Sequence, residues 1–255
     1  MKIILIGANG KIGELVQKAL AGAGHEIVKV GRKSGDFRVE IEDRESVRKL
    51  YQAVGSFDAV AIAAGEVAFA PLSELTAEKW QFSLGSKLMG QINLVQEAIP
   101  FINEKGSFTL VSGVLNEEPI FAGVAGATVS GALEGFVRAT AIELPKGLRI
   151  NVVNPTILKE SEAHMGSFFP GVIPVEGSKV GQAYKRAILG AQTGRVYKVQ
   201  RTPERELLPM AEGFGLAVMG WSPMAAGILT GKYKKGERAR HRTQGQRHAC
   251  RQSSQ

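Results

Sequence analysis

Apolar residues follow two different periods along the first 200 residues of the chain. Short, nearly continuous apolar runs such as "KIILIG" and "FDAVAIAAG" are typical of strands in a sheet that is covered on both faces. Longer segments such as "RESVRKLYQAV" have the amphipathic character of helices. The predicted strands are residues 2–7, 25–31, 39–42, 57–65, 106–113, 147–155 and 194–200. The predicted helices are residues 13–24, 43–55, 76–102, 124–144 and 177–191.

Strands and helices alternate with short links, which is the pattern of a parallel sheet with helices on both faces. The sequence therefore predicts an α/β fold, a doubly wound parallel sheet of about seven strands in a single domain over residues 1–200. The pattern changes after that. Residues 201–236 predict a helix, a tight glycine turn and a strand, as an appendage. The remaining residues, 237–255, predict a disordered tail, because they are basic and carry almost no apolar surface to bury.

The basic balance of the chain belongs to its last part. The net charge is +8, and residues 201–255 alone hold ten Lys and Arg against four Asp and Glu. We therefore predict no specific nucleic-acid partner, although non-specific binding of the tail to polyanions stays open. No apolar run is long enough for a membrane span. The single cysteine and four histidines show no metal-ligand spacing, so we predict no metal site and a cytoplasmic protein.

A glycine-rich turn, "GANGKIG", follows the first predicted strand and leads directly into a helix. Glycines allow a sharp turn and close approach of a ligand, while the helix N-terminus offers free N–H groups to a diphosphate. In this strand–turn–helix context the pattern predicts a dinucleotide site, although a turn needed only for packing would look similar.

The second strand ends in "VKVGRKSG", where a carboxylate would bind the ribose hydroxyl of NAD. Arg32 and Lys33 stand there instead, and Lys11 in the glycine turn adds a further charge. Cations at this place favour the 2′-phosphate of NADP, so NADP is predicted in preference to NAD. The alternative is a pair of solvated surface cations.

These landmarks, together with "FTLVSG", "GALEGFVRATAIEL" and "LRINVVNP", resemble the short-chain dehydrogenase/reductase family over nearly all of residues 1–200. "SKLMGQINLV" and "GAQTGRVYKV" are most similar to a small, divergent branch of it. The resemblance implies a Rossmann-like fold, a nicotinamide cofactor, hydride transfer at a carbonyl/alcohol pair, and contact faces for a homo-oligomer. The predicted cofactor-binding residues are Gly7, Asn9, Gly10, Lys11, Ile12, Gly13, Arg32, Lys33, Glu40, Ile41, Ala63, Ala64, Gly65, Pro155 and Ile157. Glu40 and Ile41 are expected beside the adenine.

The family's reactive Tyr-x-x-x-Lys pair is absent. The start of the helix over 124–144 holds only small residues, and alignment places Gly126 at the tyrosine position and Ser130 at the lysine position. The family's serine falls at Ser112, with Gly113 as an alternative, and its supporting asparagine falls at Lys87. The resemblance therefore implies a relocated catalytic site, in which Lys87 holds the ribose or acts as acid and Ser112 polarises a carbonyl. A surface lysine is the alternative for Lys87.

Two further features bear on the substrate. "HMGSFFPGVIP" stands where the family has its substrate lid, and Phe168, Phe169, Pro170 and Ile173 make it an apolar loop. It predicts either a cover for a bulky apolar small molecule or simple packing. Tyr184 could reach inward, but nothing in its local sequence indicates this.

Residues 201–236 are similar to a second family, the aldo-keto reductases, through a helix, a strand and "SPMAAGILTGKY". None of that family's catalytic residues is included, and one strand cannot close an eight-stranded barrel. We therefore expect a fused fragment without a cofactor role. For the whole chain, the leading hypothesis is an NADP-dependent oxidoreductase of unusual mechanism. The alternative is a non-catalytic NAD(P)-binding sensor or partner protein.

Overall fold

The structure is a computed structural model that describes residues 1–200, apart from the side chain of His164. The aldo-keto-reductase-like segment and the basic tail lie outside the described residues. Seven parallel strands form one sheet in the order β3-β2-β1-β4-β5-β6-β7. The strands are β1 Lys2–Ile6, β2 Glu26–Gly31, β3 Phe37–Arg38, β4 Phe57–Ile62, β5 Ile102–Val111, β6 Arg149–Pro155 and β7 Val196–Val199. The predicted doubly wound α/β fold is confirmed.

Helices cover both faces of this sheet. They are α1 Lys11–Leu20, α2 Arg44–Val54, α3 Ala77–Ser83, α4 Gly90–Ala98, α5 Val124–Glu143, α6 Glu162–Met165 and α7 Gly177–Leu189. Ile4 and Ile6 of β1 pack against α2, α4 and α5, while Ile3 and Leu5 pack against α1 and α7. Side chains alternate between the two faces of a strand. Strands β1 and β4 are therefore apolar apart from one residue each, Lys2 and Asp58.

Helix α2 illustrates how local sequence sets an element's ends. The side chain of Asp43 accepts a hydrogen bond from the backbone N–H of Glu45 and caps the N-terminus. Gly55 ends the helix with a φ of +75°, a conformation that glycine adopts without strain. Both ends lie where the sequence predicts them. The short strand before α2 lies elsewhere than predicted. It is formed by Phe37–Arg38 and not by residues 39–42.

The predicted helix over 76–102 is three consecutive elements. An α-helical part, α3, runs into a π-helical turn at Leu84–Met89, and α4 continues the same path. A π turn adds a residue to the hydrogen-bonded ring and rotates the side chains that it carries. Lys87 stands in this turn. The irregularity therefore decides which way the lysine faces.

Strand β5 begins earlier than predicted, at Ile102 and not at Gly106. Its register against β4 shifts between Phe57 and Ala59, and Lys105 takes a φ of +61°. The extra residues therefore form an irregularity at the amino end of β5. The carboxyl end stays in register, and it is the end that faces the cleft.

Candidate functional site

The glycine turn lies against the end of β4. Gly7 has a φ of +79°, and a Cβ on it would lie 2.4 Å from the carbonyl oxygen of Ala63. A Cβ on Gly13 would lie 2.2 Å from the carbonyl oxygen of Gly7. Neither distance is possible for a real side chain. These two glycines are therefore required by backbone packing, whereas a Cβ on Gly10 would lie 3.4 Å from Gly7 O, in ordinary van der Waals contact.

Helix α1 begins at Gly10, which supplies no side-chain cap. In helices α2 and α3, by contrast, the side chains of Asp43 and Thr76 cap the N-terminus. The first N–H groups of an α-helix have no acceptor within the helix, and together they attract an anion. Asn9 beside the turn donates from Nδ2 to Ser34 Oγ at 2.6 Å, which fixes the turn to the end of β2. The start of α1 is thus rigid and lacks a side-chain cap.

A cavity of about 470 Å³ opens beyond the turn, at the carboxyl ends of β1, β2 and β4. It brings together Arg32, Lys33, Ile41 and the segment 63–65, as the sequence predicts for the adenosine end of a dinucleotide site. The lining residues are Ile6, Gly7, Gly31, Arg32, Lys33, Val39, Ile41, Ala63, Ala64, Gly65, Glu66 and Ser86.

Arg32 is held at the rim of this cavity by carboxylates. Its Nε lies 3.1 Å from Glu40 Oε2, and its Nη2 lies 3.8 Å from Glu42 Oε1. Glu40 was expected beside the adenine, but the structure pairs it with Arg32, and it does not line the cavity. The guanidinium is half exposed, so the pair is a weak one that a stronger anion can replace.

Lys11 lies at the other end of the cleft and not beside Arg32. Its Nζ donates to the carbonyl oxygen of Glu160 at 3.0 Å and to Ser161 Oγ at 3.3 Å. The first turn of α1 directs this side chain toward the segment that follows β6. The expected contribution of Lys11 to a 2′-phosphate site beside Arg32 therefore finds no support in the geometry.

A second cavity of about 390 Å³ continues the first. The two share Ala63, Ala64 and Gly65, so both run along the end of β4 as one cleft. The residues that line the second cavity are Lys11, Ile12, Ala63, Ala64, Gly65, Lys87, Val111, Ser112, Gly113, Val114, Leu115, Pro155, Thr156, Ile157, Leu158, Ser161, Met165 and Phe169. The predicted residues Asn9, Gly10, Gly13 and Glu40 line neither cavity.

Lys87 enters the second cavity from the π turn and is partly buried. A Cβ on Gly65 would lie 2.8 Å from the Cα of Lys87, so the end of β4 packs directly against the lysine. Burial lowers the pKa of Lys87 to about 8. Within residues 1–200 we find no carboxylate paired with it. A lysine in this state exchanges protons near neutral pH.

Two buried hydroxyl groups in the same cavity lack a hydrogen-bond partner in the described part of the chain, Ser112 Oγ and Thr156 Oγ1. Their backbones are fixed, since the N–H of Ser112 donates to Val153 O at 3.0 Å and that of Thr156 to Val199 O at 3.1 Å. Buried polar groups are nearly always paired. Unpaired ones at a cavity wall therefore indicate places for polar atoms of a ligand.

Gln91 is a buried positioning residue that the sequence did not reveal. Its Nε2 donates to the carbonyl oxygens of Lys87 and Val111, both at 2.9 Å. Its Oε1 accepts from the N–H of Val111 at 2.9 Å. One amide thus joins the π turn to the end of β5. The only sequence signal is a polar residue on the otherwise apolar face of "GQINLV".

Comparison with known proteins agrees with this arrangement. The family model described as Enoyl-(Acyl carrier protein) reductase matches residues 2–178. The chain belongs to the short-chain dehydrogenase/reductase family. A second family model, described as Aldo/keto reductase family, matches residues 191–254. Most of that match lies outside the described residues.

Individual relatives support the same assignment. The crystal structure of the protein lin1944 from Listeria innocua is 45% identical, with a TM-score of 0.76, and covers 78% of this chain and 99% of that one. The uncharacterized oxidoreductase YghA of Escherichia coli is 28% identical over 177 residues, which are 67% of this chain and 60% of that protein. A small-chain dehydrogenase in complex with NADPH shares the fold, with a TM-score of 0.70 at 22% identity, over 78% of this chain and 96% of that one.

Leu115 occupies the space beside Gly126, the position predicted from the sequence to correspond to the family's tyrosine. A Cβ on Gly126 would lie 2.8 Å from Leu115 Cδ1 and 3.6 Å from Val67 Cγ2. Ser130 is buried, and neither residue lines the cleft. A tyrosine at position 126 would displace Leu115, which itself lines the cavity. The small-residue face of α5 is therefore a tightly packed wall.

Tyr184 does not replace the missing tyrosine. It is fully buried in α7, and its hydroxyl donates to the carbonyl oxygen of Ile62 at 2.6 Å. Burial raises the pKa of Tyr184 well above its ordinary value. It joins α7 to the end of β4 and lines neither cavity of the cleft.

The described residues contain neither a metal-binding cluster nor a helix that could span a membrane. Residues 1–200 hold no group of three or more His, Cys, Asp or Glu side chains arranged to bind a metal ion. Among the helices that the structure describes, none has the length and apolar character needed to cross a membrane.

Replacing Tyr184 by phenylalanine should lower the stability of the fold without changing the groups that line the cleft. The carbonyl oxygen of Ile62 would stay buried without a donor, at a cost of about 1–3 kcal/mol in the free energy of unfolding. Urea denaturation measures this, with Tyr197→Phe as control, because the Tyr197 hydroxyl pairs with Gln192 in an exposed position. Equal stabilities for the two variants would contradict the structural role.

Replacing Lys87 by methionine should raise stability at pH 6.5. The pKa of Lys87 falls from 10.5 to about 8 on folding, so below pH 8 the folded chain carries a poorly solvated charge. This penalty disappears as the pH rises from about 8 toward 10.5, and the gain from the substitution should disappear with it. Denaturation at pH 6.5 and pH 10 tests the difference. Lys18→Met, at an exposed position of α1, should show no such dependence.

Proposed function

We propose that this protein is an NADP-dependent oxidoreductase that interconverts a carbonyl compound and its alcohol at an atypical catalytic site. The observation that carries the proposal is the two-part cleft. Cations stand at one end of it, at Arg32 and Lys33, and a lysine of lowered pKa stands beside unpaired hydroxyls at the other. The uncapped start of α1 lies between the two ends. The known binding of NADPH by a relative with the same fold supports this choice of cofactor.

The residues present fit such a cofactor. The N-terminus of α1 would bind the diphosphate, and Arg32 would exchange Glu40 for the 2′-phosphate. The unpaired Ser112 Oγ and Thr156 Oγ1 would meet polar atoms in the second cavity. When bound, a reduced nicotinamide supplies a hydride to a carbonyl carbon.

This chain's own residues would handle the proton. Lys87, held through its backbone by Gln91, would donate a proton to the carbonyl oxygen, and Ser112 would orient that oxygen by a hydrogen bond. The neutral amine would then recover a proton from solvent through the open cleft. A pKa of about 8 suits this role, since a general acid works best with a pKa near the operating pH.

A second candidate is a non-catalytic NAD(P)-binding sensor or partner protein. The glycine at position 126 favours it, because Leu115 fills the adjoining space and no tyrosine hydroxyl is available there as a proton donor. The two functions share cofactor binding and differ in turnover. NADPH oxidation with a panel of aliphatic and aromatic aldehydes and ketones therefore distinguishes them.

Arg32 and Glu40 should have opposite effects on cofactor binding. Arg32→Ala should weaken NADPH binding by at least about 1.5 kcal/mol, or more than tenfold, and leave NADH almost unchanged. Glu40→Gln should strengthen NADPH binding up to about fivefold, because it releases Arg32 from an exposed ion pair. Isothermal titration calorimetry with both coenzymes measures this. Arg38→Ala is the control, since Arg38 is exposed and does not line the cofactor cavity. Equal losses for both coenzymes would contradict the assignment.

The rate of carbonyl reduction should depend on the protonation of Lys87. The ammonium form is the donor, so the rate should fall as the pH rises through about 8, and alcohol oxidation should rise over the same range. Lys87→Met should reduce the rate by about 10²–10⁴ and remove this pH dependence. Steady-state kinetics from pH 6 to 10 provides the test, with NADPH affinity measured in parallel. An active Lys87→Met variant with an unchanged pH profile would exclude Lys87 as the acid.

A further inference from the structure

A third cavity of about 460 Å³ lies outside the cofactor cleft. One wall is the loop between β5 and α5, and the other is the segment between β6 and α7, which we call the lid (residues 159–175). The lining residues are Glu118, Pro119, Ile120, Phe121, Ala122, Ser167, Phe168, Phe169, Pro170 and Val172. We call this cavity the apolar chamber, since Glu118 is its only charged lining residue among those described.

The apolar chamber adjoins the cleft at Phe169. This side chain lines both cavities. It packs in one apolar cluster with Leu115 and Ile157, which line the cleft, and with Ile120 and Val172, which line the chamber. Phe169 is therefore a divider between the place proposed for the reacting carbonyl and the chamber.

Aromatic rings stand exposed around the chamber. Phe121 is 82% exposed and Phe168 is 49% exposed. Phe168 also contacts Phe69 from the loop after β4, with ring centroids 6.4 Å apart. Large apolar groups gathered at a concave site usually mark a place for a ligand.

The chamber walls are anchored to the fold. At the base of the lid, the N–H of Val175 donates to Ile157 O at 3.0 Å, and that of Lys159 donates to Val175 O at 2.9 Å. The loop wall is tied by the N–H of Ala70, which donates to Ala122 O at 3.1 Å. The chamber therefore exists before any ligand binds, as expected of a small-molecule site.

We propose that the substrate has two parts, a carbonyl head in the cleft and an alkyl or aryl tail that passes Phe169 into the apolar chamber. A tail explains together the volume of the chamber, its apolar lining and its position next to the cleft. The inference rests on the proposed function for the position of the head, beside Ser112 and Lys87. Specificity would then be set by the length and apolar character of the tail, because the described walls offer few polar groups that could bind a polar tail.

A fluorescent ketone tests the chamber on the full-length chain. The probe 6-propionyl-2-(dimethylamino)naphthalene joins a carbonyl group to an apolar aryl body, and its emission shifts to the blue in apolar surroundings. Methyl ketones from 2-butanone to 2-decanone then displace the probe, with saturating NADP⁺ present so that no ketone is reduced during the titration. We expect the dissociation constant to fall about threefold to fourfold for each added methylene until the chamber is full.

Two substitutions fill the chamber, Ser167→Trp and Val172→Trp, and Ser178→Trp is the matched control. Ser178 is exposed at the start of α7 and does not line the chamber. We expect both chamber variants to lose the dependence on ketone length and to bind NADPH as the parent chain does. The control should keep the dependence.

The outcomes separate this inference from the proposed function. NADPH binding together with equal affinity for all ketones would overturn the chamber proposal alone. Length dependence that persists in both chamber variants would overturn it as well. Length dependence without NADPH binding would support the chamber as the site of an apolar tail and would contradict the oxidoreductase proposal.

Discussion

The cleft depends on one close backbone contact. Gly7, at the end of β1, lies so near the carbonyl oxygen of Ala63 that a Cβ would approach it to 2.4 Å. The contact holds the glycine turn against the end of β4. The same segment continues to Gly65, which packs against the Cα of Lys87. Two close approaches therefore place the start of α1, the cleft floor and the candidate acid in a fixed relation. A larger side chain at position 7 or 65 would separate them.

Features set by local sequence could be predicted, and features set by distant contacts could not. Asp43 caps α2 by accepting a hydrogen bond from the N–H of Glu45, two residues further along. Its role can therefore be predicted from the local sequence. Arg32 ends a strand whose place in the sheet follows from the alternation of elements. The direction of Lys11 depends on Glu160, 149 residues away, and no local pattern indicates it. The π turn that turns Lys87 into the cleft differs from an α-helix by one residue per ring, which apolar spacing does not resolve.

The loss of the family's reactive pair is a change of packing as well as of chemistry. Leu115 occupies the space beside Gly126 and also lines the cleft, so the wall of α5 contributes apolar surface where a tyrosine would contribute a hydroxyl. The polar groups of the cleft come from other elements. Lys87 belongs to the π turn, and Ser112 and Thr156 follow β5 and β6. Under the proposed function, the proton donor would therefore reach the substrate from the π turn and not from α5.

The buried carboxylates of the described residues are paired, unlike the lysine of the cleft. The buried carboxylate of Glu97 lies 2.6 Å from Arg44 and 3.0 Å from Arg48, and these contacts hold its pKa below the usual range. Glu134, also buried, accepts hydrogen bonds from Asn154 and Arg138. Lys87, by contrast, has no carboxylate beside it among residues 1–200. Buried polar groups without partners destabilise a fold. Lys87 and the unpaired hydroxyl groups of Ser112 and Thr156 line one cavity, as a site arranged around a polar ligand requires.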